Sequence, residues 1–161
     1  MTIFTFVLLV LFLFPMETGS FTDTKDEVVP LTIDYEREIR ETLELNHVDQ
    51  YVIELLIAQS KHESGNYKNN LTKYHNVFAR HYHKSDTMAI SAGARAEGHS
   101  NFAIYPSVKN ATISQINYLK RKRYSFSWKN PHQYALELKS KGYYEAPVAE
   151  YSAALRRYIS R

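Results

Sequence analysis

The chain has 161 residues, 44% of them hydrophobic, with a formal net charge of +3, which bounds it to one domain with a real core. It has no cysteine, which excludes disulfides, a thiolate nucleophile, a cysteine zinc site and a lipoprotein anchor. The charge is uneven: 4 basic and 12 acidic residues lie up to Glu63, and 16 basic and 5 acidic follow from Ser64, so the C-terminal part suits an anionic polymer or a membrane surface.

The N-terminus stands apart. Ile3 to Phe14 is continuously apolar, followed by Pro15 and "METGS". Twelve residues is short of the roughly 20 a spanning helix needs. The stretch matches the h-region of a secretory signal, and Thr18 and Ser20 are small residues at cleavage-like spacing. Residues 1–20 are therefore expected to be a signal peptide, or an N-terminal membrane anchor, with a mature start near Phe21. Residues 21–31, polar and containing Pro30, read as a linker. The domain of 32–161 is then exported, to the periplasm, the envelope or the exterior, where nucleic acid is not its expected partner.

Tyr35, Ile39 and Leu43 recur every four residues, which predicts a helix over 33–45. Val48, Val52, Leu55, Leu56 and Gln59 line a second helix over 48–63, apolar around most of its circumference and so expected at the centre; Gly65 stops it. Residues 66–106 show no helical period, and "TMAISAG" and "SNFAIY" read as short strands. Ser107 caps a third helix carrying Ala111, Ile116 and Leu119. Asn130 and Pro131 open a fourth, ended by Gly142. Pro147 opens the last, with Val148, Tyr151, Leu155 and Tyr158 on one face. The expected class is mostly α (α+β), about five helices and one small β-hairpin lobe. "KRKR", Lys120 to Arg123, fits the C-terminal end of a helix, where cations are favoured.

The second helix ends on "HESG", so Glu63 closes a buried element. A zinc-protease motif would need histidine at 66, which is Asn66. His75, His81 and His83 lie in a polar loop that reads as solvated, so no metal and no cofactor are expected. No Gly-x-Ser-x-Gly is present. A carboxyl in an apolar setting has a raised pKa, and a glutamic acid kept protonated near neutrality can donate to a glycosidic oxygen.

Four stretches in order, "AQSKHESG", "HNVFA", "NFAIYPSVKNATISQINYL" and "KGYYEAPVAEYSAALRRYI", span about 58 to 159. Together they resemble the glucosaminidase family of peptidoglycan hydrolases, which includes autolysins, flagellar-rod-associated wall hydrolases and phage lysins. The resemblance implies a lysozyme-like fold and hydrolysis of the β-1,4 bond after N-acetylglucosamine, with peptidoglycan glycan strands as partner. It implies Glu63 as general acid, with Tyr143 lining the cleft opposite and Glu97 as a second acidic residue. Asn76 and Phe78 match the segment under the substrate groove, and Tyr105 and Tyr144 are further candidates for binding sugar, as is Trp128 for stacking on it. Ala79 stands where the family has glycine, Asn66 and Tyr67 where it has Trp-Gly, and "YEAP" where it has "ATDP". A lytic transglycosylase or muramidase would follow its Glu-Ser with a Gly-Leu-Met-Gln-like segment, where this chain has "HNVFA". A non-catalytic wall-binding module using the basic C-terminal part is the reading from another class.

Overall fold

The structure, a computed structural model, describes residues 32–96 and 99–159. The expected signal or anchor of 1–20, the expected linker of 21–31 and Glu97 lie outside the described residues.

Each of the first four helices starts where a side-chain oxygen is available to a free backbone N–H. Asp34 accepts from Arg37 N at 3.1 Å and opens α1, Tyr35–Leu45. Asp49 accepts from Tyr51 N at 2.9 Å and opens α2, Gln50–Glu63. That cap puts the start two residues after the predicted one, because Val48 falls on the connecting turn. Ser107 and Asn130 do the same for α3, Val108–Arg121, and α4, Pro131–Ser140, the latter with proline in its first turn. The last helix, α5, Val148–Arg156, has Pro147 at its cap and no side-chain bond there. A 3₁₀ turn over Asn70–Tyr74, capped by Asn69, is an element the absence of a 3.6-residue period left unpredicted.

The lobe is an antiparallel pair, β1, Ser91–Ala96, and β2, His99–Ile104, running from Ser91 opposite Ile104 to Ala96 opposite His99, with the register shifting between Ala92 and Ala94 and again between Ala94 and Ala96. The predicted first strand began at Thr87. Asp86 instead accepts from Met88 N at 3.1 Å and turns the chain, delaying the ladder. Beside β2 runs a third extended piece: Ala103 N donates to Arg80 O at 2.9 Å, Tyr82 N donates to Asn101 O at 2.7 Å, and His81 bridges to Phe102. Residues 80–82 are thereby laid along the edge of the lobe.

From Val52 to Ser60 every residue of α2 except Glu54 is buried, and Glu54 pairs with Arg40 of α1 at 2.6 Å. Ile39 and Leu43 of α1, Ile116 and Leu119 of α3, Tyr134 and Leu138 of α4 and Leu155 of α5 close around it. Each such side chain contributes about 1.5–3 kcal/mol of burial, so α2 is held along its length. Among the described residues no helix is long and apolar enough to cross a membrane.

Candidate active site

The end of α2 is fixed by its own backbone. Asn66 N donates to Lys61 O at 2.6 Å and Gly65 N to His62 O at 3.4 Å, the paired bonds of a Schellman terminus. Gly65, Asn66 and Tyr67 all have positive φ, at 59°, 56° and 63°. Three successive left-handed residues reverse the chain at once. The buried Ser64 accepts from Tyr67 N at 2.9 Å, and Asn69 Nδ2 donates to the carbonyl of Glu63 at 3.0 Å. The residue carrying the carboxyl is thus tied on both sides.

The carboxyl itself is desolvated on the protein side and open to a cleft of about 950 Å³. Burial pushes its pKa up to about 7, against a smaller lowering effect from the hydroxyl of Tyr151. That hydroxyl donates to Glu63 Oε1 at 2.6 Å. Behind it lies a buried chain of polar groups. Gln59 Nε2 donates to Tyr151 Oη at 3.4 Å, while Gln59 Oε1 accepts from Tyr134 Oη at 2.5 Å and Gln115 Nε2 at 3.1 Å. With its oxygen occupied twice, Gln59 can offer only its amide hydrogens to Tyr151. The tyrosine in turn points its own hydrogen at Glu63. His62 is edge-on to the Tyr151 ring at 5.1 Å; burial, with a smaller effect of Arg157, lowers its pKa.

Three sequence candidates meet here: Glu63, Tyr143 and Tyr144 all line the cleft. Tyr143 donates to the carbonyl of Phe78 at 3.2 Å, and burial, then the nearby Glu63, holds its phenol protonated. Tyr144 stacks on Tyr151 at 4.0 Å and 10° and donates to Ala135 O at 2.8 Å. Asn76, Phe78 and Tyr105 do not reach the cleft, and the expectation that they bind sugar is corrected. Each is at most 1% exposed. Asn76 donates to Arg80 O and Ala103 O, both at 2.9 Å, and accepts from Arg80 N at 2.8 Å. Its amide imitates a strand neighbour and pins the lobe. Tyr105 donates to Asp86 Oδ2 at 3.0 Å. Trp128 is likewise in the core, donating to Glu137 Oε2 at 2.5 Å.

Tyr151, Gln59, Arg80 and Glu145 were not among the site residues expected from the sequence. Tyr151 and Gln59 read as members of apolar faces, and their one distinguishing signal was a polar tip at a fully internal position. Glu145 is a second carboxylate of the cleft wall among the described residues, signalled only by its place in "YEAP". Among the described residues no group of three or more His, Asp or Glu side chains is placed to hold a metal ion.

The family described as mannosyl-glycoprotein endo-β-N-acetylglucosaminidase, or glucosaminidase, matches residues 40–161. The chain belongs to the glucosaminidase family. As a glucosaminidase it is a glycoside hydrolase, which agrees with a glutamic acid of raised pKa at the wall of an open cleft. A solved structure of a type VI secretion system effector–immunity complex from Pseudomonas protegens is similar to it, with a TM-score of 0.55 and 16% identity over 80% of this chain and 95% of that one. At that identity the likeness concerns the fold, which is mostly α and lysozyme-like. No curated protein matches the chain.

Proposed function

We propose that this glucosaminidase hydrolyses peptidoglycan, cutting the β-1,4 bond after N-acetylglucosamine with Glu63 as the general acid. The observation that carries the reading is the Glu63 carboxyl, raised to about 7 at the cleft wall. A carboxyl with that pKa is substantially protonated at neutral pH, which matches a general acid to its working conditions. Because Tyr151 donates to Oε1, that oxygen serves as the acceptor and Oε2 carries the acidic proton into the cleft. Glu63 delivers that proton to the leaving glycosidic oxygen. The sugar is then attacked by a water activated by Glu97, as in an inverting arrangement, or by its own acetamido group, with Tyr143 positioning the ring or steadying developing charge. Tyr144 offers a flat face beside the acid. The proposal includes export, by a signal or anchor over 1–20, since the substrate lies outside the cytoplasm.

The test is hydrolysis of peptidoglycan embedded in a gel by the wild type and by Glu63→Gln, followed by mass analysis of the soluble fragments. Expected are clearing by the wild type, a loss of about 10²–10⁴-fold in the variant, and fragments with N-acetylglucosamine at the reducing end. Muramic acid at that end, or an anhydro product, assigns a muramidase or a lytic transglycosylase instead. Tight binding without any clearing assigns a non-catalytic wall-binding module.

A further inference from the structure

The cleft is electrostatically lopsided. Its described walls carry three cations, Arg80, Arg121 and Lys122, against Glu63 and Glu145, and Glu63 is substantially neutral near its raised pKa. Arg80 is the most constrained of the three. Its backbone is held on both sides, by the Asn76 amide and by the β2 pairing at Ala103. Its guanidinium lies over the Tyr118 ring, 3.7 Å from the centroid. Its Nε is buried with no hydrogen-bond acceptor. Its terminal nitrogens make no hydrogen bond or ion pair with any described residue. A rigid guanidinium facing a cleft with only an aromatic ring to compensate it is an incomplete pair. Ordinary surface arginines are mobile and solvated; this one is half-buried and stacked, in the lining of the cleft. Arg121 and Lys122, exposed at the end of α3 on the same cleft, add positive potential with the same sign of preference.

We propose that Arg80, backed by Arg121 and Lys122, forms a carboxylate-binding subsite that selects acidic glycan over neutral glycan. The inference rests on the peptidoglycan reading above and names the substituent it recognises. A planar fork of donors matches a carboxylate in two parallel bonds. Peptidoglycan offers such groups in two places: the lactyl ether on alternate sugars once its peptide is gone, and the acidic residues of the stem peptide. Arg80, Tyr143 and Glu63 line the same cleft, so the subsite and the acid can be engaged by one glycan strand.

The test separates binding from turnover by using Glu63→Gln as the binding protein. Its affinity is measured by calorimetry for three ligands: a neutral N-acetylglucosamine oligomer, peptide-free peptidoglycan glycan with free lactyl carboxylates, and peptide-bearing glycan. At least one acidic ligand is expected to bind about 10- to 100-fold more tightly than the neutral one, and the preference is expected to shrink with added salt. Which acidic ligand gains identifies the source of the carboxylate. Adding Arg80→Gln is expected to bring the ratio close to one, while Arg80→Lys, which keeps charge but not the fork, retains only part of it. Should Arg80→Gln melt early, the Glu63→Gln protein is compared on acidic glycan before and after methyl esterification, which tests the same contact with Arg80 in place. Equal affinity for all three ligands, no binding to any, a preference that survives Arg80→Gln, or indifference to esterification overturns the subsite. A wild-type enzyme that fails to clear peptidoglycan while Glu63→Gln still prefers acidic glycan would sink the catalytic reading and leave the subsite standing.

Discussion

Tyr151 and Glu63, 88 residues apart in sequence, meet at 2.6 Å between hydroxyl and carboxyl oxygen. The contact joins α5 to the last residue of α2, and it acts on the proton that the chemistry would use. Burial alone raises the pKa of Glu63; the Tyr151 hydroxyl bonds its charged form and draws it back. The helix pair therefore sets both where the carboxyl points and how firmly it keeps its proton.

Tyr151→Phe removes the hydroxyl and keeps the ring stacked on Tyr144. The lowering contribution is lost, so the pKa of Glu63 moves further up. The expected result is a basic limb of the kcat/KM profile displaced to higher pH, with kcat down about tenfold from the loss of one charge-assisted bond. A pH–rate profile on soluble glycan fragments checks it. A uniform loss at every pH, with the limb unmoved, would show that Tyr151 only packs.

The raised pKa also fixes how stability and activity depend on pH. Glu63 has an ordinary value of 4.5 and a folded value of about 7. The native state binds the proton more tightly, so this contribution is fully present below pH 4.5 and is lost as pH rises through about 7. Activity that needs the protonated acid falls over that upper range. Glu63→Gln is neutral at all pH and escapes the loss. Its melting temperature is expected to match the wild type near about pH 5 and to exceed it near about pH 8, the gap being at most about 3 kcal/mol. Melting curves at both pH values decide it; a constant offset would mean the carboxyl is well solvated.

The helices were legible because their signals are local. Two caps, Ser107 and Asn130, and two stops, Gly65 and Gly142, stand within a residue or two of the ends they determine; Asp34 and Asp49, which cap the first two helices, were not read as caps, and the predicted start of the second fell two residues early. Glu63 was legible for the same reason, as a carboxyl ending an apolar helix just before a glycine. What pairs across the fold was not legible. Nothing near Gln59 in sequence indicates that its side chain meets Gln115, Tyr134 and Tyr151. Asn76 was read as a substrate contact because it accompanies the motif, yet its amide is consumed by the backbone of Arg80 and Ala103. Arg80 gained meaning only once residues 80–82 were seen to run beside β2.

Tyr143 and Tyr158 provide a matched pair. Tyr143 lines the cleft with its hydroxyl on Phe78 O, whereas Tyr158 is a half-buried residue packed on the core beyond α5 and away from the cleft walls. Tyr143→Phe is expected to slow turnover about tenfold through one lost hydroxyl contact, with melting little changed. Tyr158→Phe is expected to leave turnover within about twofold, as a surface-side change does. Steady-state kinetics beside thermal melts separate the two. Equal losses of rate and of melting temperature in both variants would reduce Tyr143 to packing.

Ala79 shows a departure from the family pattern in physical terms. The resemblance puts glycine at this position, and the φ of Ala79 is +47°, a region that costs an L-residue about 1–2 kcal/mol. The turn it makes carries the chain from the buried Phe78 to Arg80, so the conformation is imposed by residues fixed on either side. Alanine is the smallest side chain that can bear the cost, and its methyl packs partly against the small cluster of Leu71 and Phe102. Ala79→Gly relieves the strain but adds freedom to the unfolded chain, about 0.4–1 kcal/mol, and loses part of a buried methyl. The two sides nearly cancel, so its melting temperature is expected to stay within about 3 °C of the wild type. Ala79→Val places a β-branched residue where such residues are true outliers, and is expected to cost about 2 kcal/mol or more. The glycan-binding measurement should follow the same order, because a displaced turn would move Arg80. A valine variant as stable as the glycine one would mean that the backbone relaxes freely here, and that the rigidity attributed to residues 76–82 is wrong.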